Sequence, residues 1–105
     1  MKLSLSGAVA IGALAVFGTC SSFADVVIPE SCKSGGYFIG CQAWTWNKFT
    51  VFEAIEKTAQ AGGKVIEFFP GQKLSPQEPT VAWDHNASAE TIAKVKAKLD
   101  EFHIT

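Results

Sequence analysis

Arginine is absent from this sequence, and so are several short motifs that usually carry chemistry. Proteins that bind nucleic acid generally present a basic face and use arginine to hold phosphate and guanine. Here nine lysines stand against ten acidic residues and give a formal net charge of −1, so a nucleic-acid partner is disfavoured. No CxxC pair, zinc-ligand spacing or P-loop pattern occurs either, which leaves those metal-binding and nucleotide-binding classes without support.

A long apolar segment is also missing, but a short one lies close to the N-terminus. Lys2 precedes the uncharged run at residues 7–17 (GAVAIGALAVF), and small and polar residues follow as far as Ala24. This order predicts a signal peptide over residues 1–24 and therefore an exported protein, periplasmic or secreted. The apolar run is too short to hold the mature chain in a membrane. Lipoprotein processing at Cys20 is the alternative, although the residues before it suit that signal poorly.

The chain after cleavage is small and slightly acidic. Removal of residues 1–24 leaves 81 residues with eight lysines and ten acidic residues, which is enough for one domain. Cys32 and Cys41 remain, and an exported protein can join such a pair in a disulfide. The simpler interpretation makes Cys41 a buried strand residue and Cys32 a free thiol in a flexible N-terminal extension, residues 25–36.

The first part of the mature chain has the pattern of a strand, a helix and a second strand. Residues 37–43 (YFIGCQA) and 65–69 (VIEFF) are short apolar runs typical of buried strands. Between them, Thr50 and Glu53 form a capping box that predicts the start of a helix, and a Gly-Gly pair at residues 62–63 predicts its end. This order predicts a parallel βαβ unit.

The second part of the chain begins with a loop of about twenty residues, a length that is unusual in a compact domain unless the loop is functional. Ser88 then caps a helix. Its apolar side chains recur at helical spacing, at Ile92, Val95, Leu99 and Phe102. Residues 103–105 resemble the start of a third strand. Because two parallel strands cannot cover both faces of a sheet, we expect the N-terminal piece of a longer α/β protein. The alternative is that the 81 residues fold alone or with a partner chain.

Two segments carry a family resemblance, residues 40–76 (GCQAWTWNKFTVFEAIEKTAQAGGKVIEFFPGQKLSP) and 83–102 (WDHNASAETIAKVKAKLDEF). Together they resemble the exported sugar phosphate isomerase/epimerase proteins of the xylose-isomerase-like TIM-barrel superfamily. The chain departs from that family at Trp44 and Trp46, where the family pattern has Tyr and Phe, and at His103, where it has Gly.

The resemblance implies an α/β fold, the first two βα units of a (β/α)8 TIM barrel truncated at the start of strand three. Residues 37–105 would then be the N-terminal part of the barrel. It also implies a metal-dependent isomerase or epimerase that moves a proton between adjacent carbons of a sugar or sugar phosphate. The divalent metal, its ligands and the catalytic bases are expected on later strands. The catalytic residues are thus expected outside this sequence, and the chain alone is expected to bind no metal and to be inactive.

The barrel prediction places Trp44 and Trp46, which follow the first strand, at the catalytic mouth, together with Gln42 near the end of that strand. An indole can stack on the C–H face of a sugar ring, although at least one tryptophan can instead pack under the barrel rim. The amide of Gln42 can point into the mouth, or a neighbouring residue of the strand can take that position.

Two polar residues complete the set of candidate substrate contacts. Glu67 is costly to bury within VIEFF unless it has a partner. A functional explanation is a hydrogen bond to a sugar hydroxyl or a role beside the metal. A structural explanation is an ion pair with a lysine from a neighbouring βα unit, and both explanations remain open. His85, within WDHNAS, can reach the mouth from the long loop or belong to the surface and the helix cap.

Three other classes of function are consistent with parts of this pattern. A carbohydrate-binding barrel without catalysis shares every feature above. A DNA-repair nuclease of the same superfamily shares the barrel, but the export signal and the absence of arginine argue against it. A small secreted interaction module requires the 81 residues to fold alone. The expected partner is therefore a small sugar or sugar phosphate, with no nucleic acid and no membrane after signal cleavage.

Overall fold

The computed structural model describes residues 27–105, so the predicted signal peptide lies outside the described residues. The described residues form two α-helices, Val51–Gln60 (α1) and Ala89–Glu101 (α2), and two short 3-10 helices, Glu30–Cys32 and Ala43–Trp46. Neither α-helix of the described part is long and apolar enough to cross a membrane. The strands are Lys33–Ser34 (β1), Tyr37–Phe38 (β2), Gly40–Gln42 (β3), Val65–Glu67 (β4), Gln72–Lys73 (β5) and Ala82–Trp83 (β6).

Helix α1 begins at the predicted capping box. The Thr50 hydroxyl accepts from the Glu53 backbone N–H at 3.4 Å, and the Glu53 carboxylate accepts from the Thr50 backbone N–H at 2.8 Å. These bonds satisfy two donors that the first turn of a helix otherwise leaves without partners. The helix ends before Gly62, whose φ of 85° is the left-handed conformation that glycine adopts most readily.

The capping box makes the stability of α1 depend on pH. Hydrogen bonds from the Thr50 backbone and hydroxyl, and then the charge of Lys57, hold the pKa of Glu53 below its ordinary value of 4.5. A lowered pKa stabilises the fold above about pH 4.5, and this contribution is lost as the pH falls through the folded-state pKa. Glu53→Gln should therefore lower the free energy of unfolding by about 0.5–1 kcal/mol at neutral pH. Denaturant titrations at several pH values should show the difference from wild type vanishing in acid.

The matched control for Glu53→Gln is Asp100→Asn, which neutralises an exposed carboxyl group near the end of α2. Asp100 makes no ion pair among residues 27–105, so its replacement should not reproduce the pH dependence. If the free energies of unfolding of the wild type and of Glu53→Gln differ by the same amount at neutral and at acid pH, the capping role of the carboxylate is contradicted.

The strands between residues 27 and 105 form three separate two-stranded sheets. β3 and β4 pair in parallel and bring Gly40 opposite Val65, and Gln42 opposite Glu67. α1 lies between these two strands in the sequence. β1 pairs antiparallel with β2, and β5 pairs antiparallel with β6.

The predicted architecture, the first two βα units of a (β/α)8 TIM barrel, is wrong. The chain forms small separate sheets, two of them antiparallel, in place of consecutive barrel strands. The predicted first strand, residues 37–43, is divided between two partners: β2 pairs with β1 across a turn at Gly35 and Gly36, with φ of 59° and 86°, and β3 pairs with β4. The predicted long loop contains the hairpin of β5 and β6, so local antiparallel pairs form where only one kind of sheet was expected.

The core lies where α1, β4 and α2 meet. Its buried apolar side chains are Ala43, Val51, Ala54, Ile55, Ile66, Leu74, Val95 and Ile104. α2 contributes Val95 fully and Leu99 and Phe102 in part, as the helical spacing predicted. Ile92 departs from that pattern, because 42% of its surface stays exposed.

The C-terminal end of α2 uses a histidine where glycine is usual. His103 has a φ of 53°, and the next residue, Ile104, donates its backbone N–H to the Leu99 carbonyl at 2.9 Å. Histidine is among the residues that tolerate this left-handed conformation better than most. The turn brings Thr105 beside β4, where its backbone bonds to Lys64 at 3.0 Å and to Ile66 at 2.9 Å.

Candidate functional site

The carboxyl ends of β3 and β4 carry the two polar residues Gln42 and Glu67 side by side. They are opposite each other in the parallel register, and both are exposed. Ile66, the preceding residue of β4, is buried in the core, so alternation along the strand turns Glu67 to the other face. That face bears an open cleft of about 280 Å³ lined by residues of β3 and β4 and by Phe38.

The side chain of Gln42 is held in place by the backbone that follows it. Its Oε1 atom accepts from the Trp44 backbone N–H at 2.7 Å and so caps the 3-10 helix Ala43–Trp46. With Oε1 occupied, Nε2 is the donor end of the amide, and it makes no hydrogen bond to the rest of the described chain. Gln42 therefore offers a fixed N–H donor at the cleft.

Glu67 presents an open carboxylate beside that donor. Among the ion pairs of residues 27–105, none includes Glu67, so no described lysine supplies the structural partner that the sequence left open. The residue is exposed at the strand end and avoids the cost of burying a charge. A carboxylate in this position accepts hydrogen bonds from hydroxyl groups.

The two tryptophans of the 3-10 helix have different roles. Trp44 is 62% exposed, and its ring meets that of Phe69 edge to face, with centroids 5.0 Å apart. Trp46 is half-buried, and its Nε1 donates to the Thr58 hydroxyl at 3.1 Å. Trp46 thus packs against α1 as a structural residue, whereas Trp44 leaves ring surface available to a ligand.

Sequence reasoning missed Thr58 and Phe69, which position the tryptophans. Thr58 is almost fully buried on α1, and its hydroxyl also lies 3.0 Å from the Cys41 sulfur. A polar residue three positions after Ile55, on the apolar face of the helix, was the signal that could have identified it. Phe69 is the last residue of the predicted second strand, residues 65–69, and its aromatic side chain at that strand end was the corresponding signal.

Both described cysteines are free. Cys32 is buried, with its sulfur 3.3 Å from the Thr105 hydroxyl, and Cys41 is half-buried. The two residues therefore form no disulfide with each other. The simpler interpretation expected Cys32 to be a thiol in a flexible extension. Instead, Cys32 is buried and packs against Thr105.

His85 lies in a different cleft. It is exposed and lines an opening of about 290 Å³ together with Asp84, Trp83 and the segment from Phe68 to Pro70. None of these residues lines the cleft at Gln42 and Glu67. The structure thus brings Gln42 and Glu67 together at one cleft. Trp44 follows two residues after Gln42 but lines that cleft no more than His85 does, and its ring packs on Phe69.

The described residues provide no metal centre. Within residues 27–105, no group of three or more His, Cys, Asp or Glu side chains is arranged to hold a metal ion. The ligands of the divalent metal that the family resemblance implied are not found there, and no catalytic step is assigned to these residues.

No protein-family model matches this sequence, and no curated protein matches it either. Among solved structures, the chain is similar to the crystal structure of an uncharacterized protein from Parabacteroides distasonis ATCC 8503, with a TM-score of 0.60 and 26% sequence identity. The match covers 65% of this chain and 29% of that one, so this chain spans less than a third of its neighbour's length. These similarities indicate a shared fold over the matched part and name no activity.

Proposed function

We propose that the surface formed by Gln42, Trp44 and Glu67 binds a small sugar or sugar phosphate. The observation that carries the proposal is the parallel register, which sets Gln42 opposite Glu67, with the exposed indole of Trp44 two residues after Gln42 in the chain. This surface is called the sugar edge below.

The chemistry of the sugar edge suits a polyhydroxylated ring. A sugar has a C–H face that stacks on an indole, and hydroxyl groups that both donate and accept hydrogen bonds. Glu67 supplies acceptors, and Gln42 supplies a donor whose position is fixed by its bond to Trp44 at 2.7 Å. The combination of one ring face, one donor and one acceptor gives both affinity and orientation.

At the level of the whole protein, we propose a sugar isomerase or epimerase exported by its N-terminal signal. In such an enzyme the sugar edge would bind substrate, and the metal ligands and the bases would come from outside this sequence, as the family resemblance implies. A carbohydrate-binding protein without catalysis is the alternative, and it uses the sugar edge in the same way. Assaying the complete protein for interconversion of aldose and ketose, or of epimers, separates the two.

Trp44→Ala is expected to weaken sugar binding by about tenfold or more, because stacking on the indole supplies most of the buried ring area. The measurement is a titration of the purified protein with D-xylose, D-glucose and D-glucose 6-phosphate, followed by NMR shifts of backbone amides at residues 42–44 and 67. Since Trp44 is exposed, the variant should keep the unfolding midpoint of the wild type.

The matched control is Tyr37→Ala, which removes another exposed aromatic side chain, 77% accessible, from the β1–β2 hairpin. It should leave sugar affinity unchanged. Equal losses in both variants, or no saturable shift in the wild-type protein with any of the sugars, would refute the proposed sugar edge.

A further inference from the structure

A second cleft, of about 370 Å³, lies beside the start of α1. Its wall includes Asn47, Lys48, Phe49, Gln72 and Lys73. It shares no lining residue with the cleft at Gln42 and Glu67, so its function can be considered independently of the sugar edge.

The charge of this second cleft is positive. Two lysines line it and no acidic residue does. In the described part of the chain, neither Lys48 nor Lys73 takes part in an ion pair. The ammonium group of Lys73 donates to the Pro79 carbonyl at 2.7 Å, which holds it in place and leaves two further N–H donors. The cleft therefore presents positive charge, part of it held in a fixed position.

Gln72 adds a buried polar group that lacks a partner. The residue is only 4% exposed, and its Nε2 donates to the carbonyls of Phe49 at 3.1 Å and Trp46 at 3.4 Å. Its Oε1 has no hydrogen-bond partner within residues 27–105. Leaving a buried acceptor unpaired is costly, so a ligand hydroxyl that reaches this oxygen, through a shift of the side chains that cover it, would be favoured.

We propose that this cleft binds a small hydroxylated organic anion. Its phosphate or carboxylate group would pair with Lys48 and Lys73, and a hydroxyl group would donate to Gln72. Phosphate and carboxylate share the chemistry that two ammonium groups recognise, and the choice of probes distinguishes them.

The test is an NMR titration of the isotope-labelled protein at low salt with four anions: inorganic phosphate, glycerol 3-phosphate, acetate and glycolate. Glycerol serves as the neutral probe. Glycerol 3-phosphate is compared with inorganic phosphate, and glycolate is compared with acetate. In one of these two pairs, we expect the first anion to give saturable shifts of the amides of Lys48, Gln72 and Lys73, and the second to bind more weakly. Stronger phosphate or carboxylate binding identifies the class of ligand. No saturable shift with any anion, or equal shifts with glycerol, would overturn the proposal.

Variants of the lysines distinguish a specific anion-binding site from non-specific attraction of anions to the positive charges of the protein. Replacing both residues, Lys48→Gln with Lys73→Gln, should weaken anion binding by about fivefold or more. Lys96→Gln, an exposed lysine on α2 without an ion pair among residues 27–105, is the matched control and should have no effect. A loss of the same size in the control would show that the anions respond only to net charge and would overturn the site. Circular dichroism confirms that each variant is folded.

Discussion

Replacing Gly40 by alanine is expected to force β3 away from β4 and to lower the free energy of unfolding by about 3 kcal/mol or more. A β-carbon at Gly40 would collide with the Val65 carbonyl oxygen and would lie 2.7 Å from the carbonyl carbon and 2.8 Å from the Val65 β-carbon. Backbone atoms of a paired strand cannot move aside as the tip of a side chain can. Urea denaturation followed by circular dichroism measures the loss.

The Gly40→Ala variant should also lose sugar binding, because the same pairing aligns Gln42 with Glu67. Thr45→Ala, an exposed substitution in the neighbouring 3-10 helix, is the control and should change neither property appreciably. A Gly40→Ala protein with the unfolding midpoint of the wild type would contradict the close approach of the two strands. Loss of stability without loss of sugar binding would instead contradict the sugar edge.

The helices were predictable because their signals are local. The capping box at Thr50 is complete, and the Ser88 hydroxyl accepts from the Thr91 backbone N–H at 3.1 Å as an N-cap does. Each cap joins residues three positions apart, so sequence spacing alone specifies the contact. The end of α1 at the glycine pair is equally local.

The sheets were not predictable in the same way. An apolar run such as residues 37–43 predicts a strand but not its partner, because pairing is set by contacts that are distant in the sequence. Tyr37 and Phe38 entered a surface hairpin and stayed 77% and 42% exposed, where a strand buried on both faces was expected. The barrel prediction came from the family resemblance, and the small separate two-stranded sheets contradict it.

The candidate site was predictable as a set of residue types but not as a geometry. Gln42, Trp44 and Glu67 were identified from polarity and aromatic character, and the register then brought the first and last together. The orientation of Trp46 depends on the buried hydroxyl of Thr58 on α1, twelve positions away, and the ring of Trp44 packs on Phe69, twenty-five positions away. No local pattern encodes that contact, nor the separation of His85 into another cleft.

Thr58→Val is expected to lower the free energy of unfolding by about 2 kcal/mol, although valine has nearly the same shape as threonine. The hydroxyl is almost fully buried, accepts from Trp46 Nε1 at 3.1 Å and lies 3.0 Å from the Cys41 sulfur. Valine leaves the indole N–H of the half-buried Trp46 and the Cys41 thiol without this partner, and the penalty is that of leaving both groups unpaired. The urea midpoint of the purified variant measures it, and Thr58→Ser, which keeps the hydroxyl, is the control.

A double-mutant cycle assigns this loss to the indole. Trp46→Phe removes the donor, so Thr58→Val made in that background should cost less, by an interaction energy of about 1 kcal/mol or more. If Thr58→Val lowers the free energy of unfolding equally in the wild type and in Trp46→Phe, the hydroxyl stabilises the protein through Cys41 instead. A second cycle, with Cys41→Ala in place of Trp46→Phe, would then show the interaction energy. Since the Trp46 bond anchors the 3-10 helix that presents Trp44, Thr58→Val should also weaken sugar binding, whereas Thr58→Ser should preserve it.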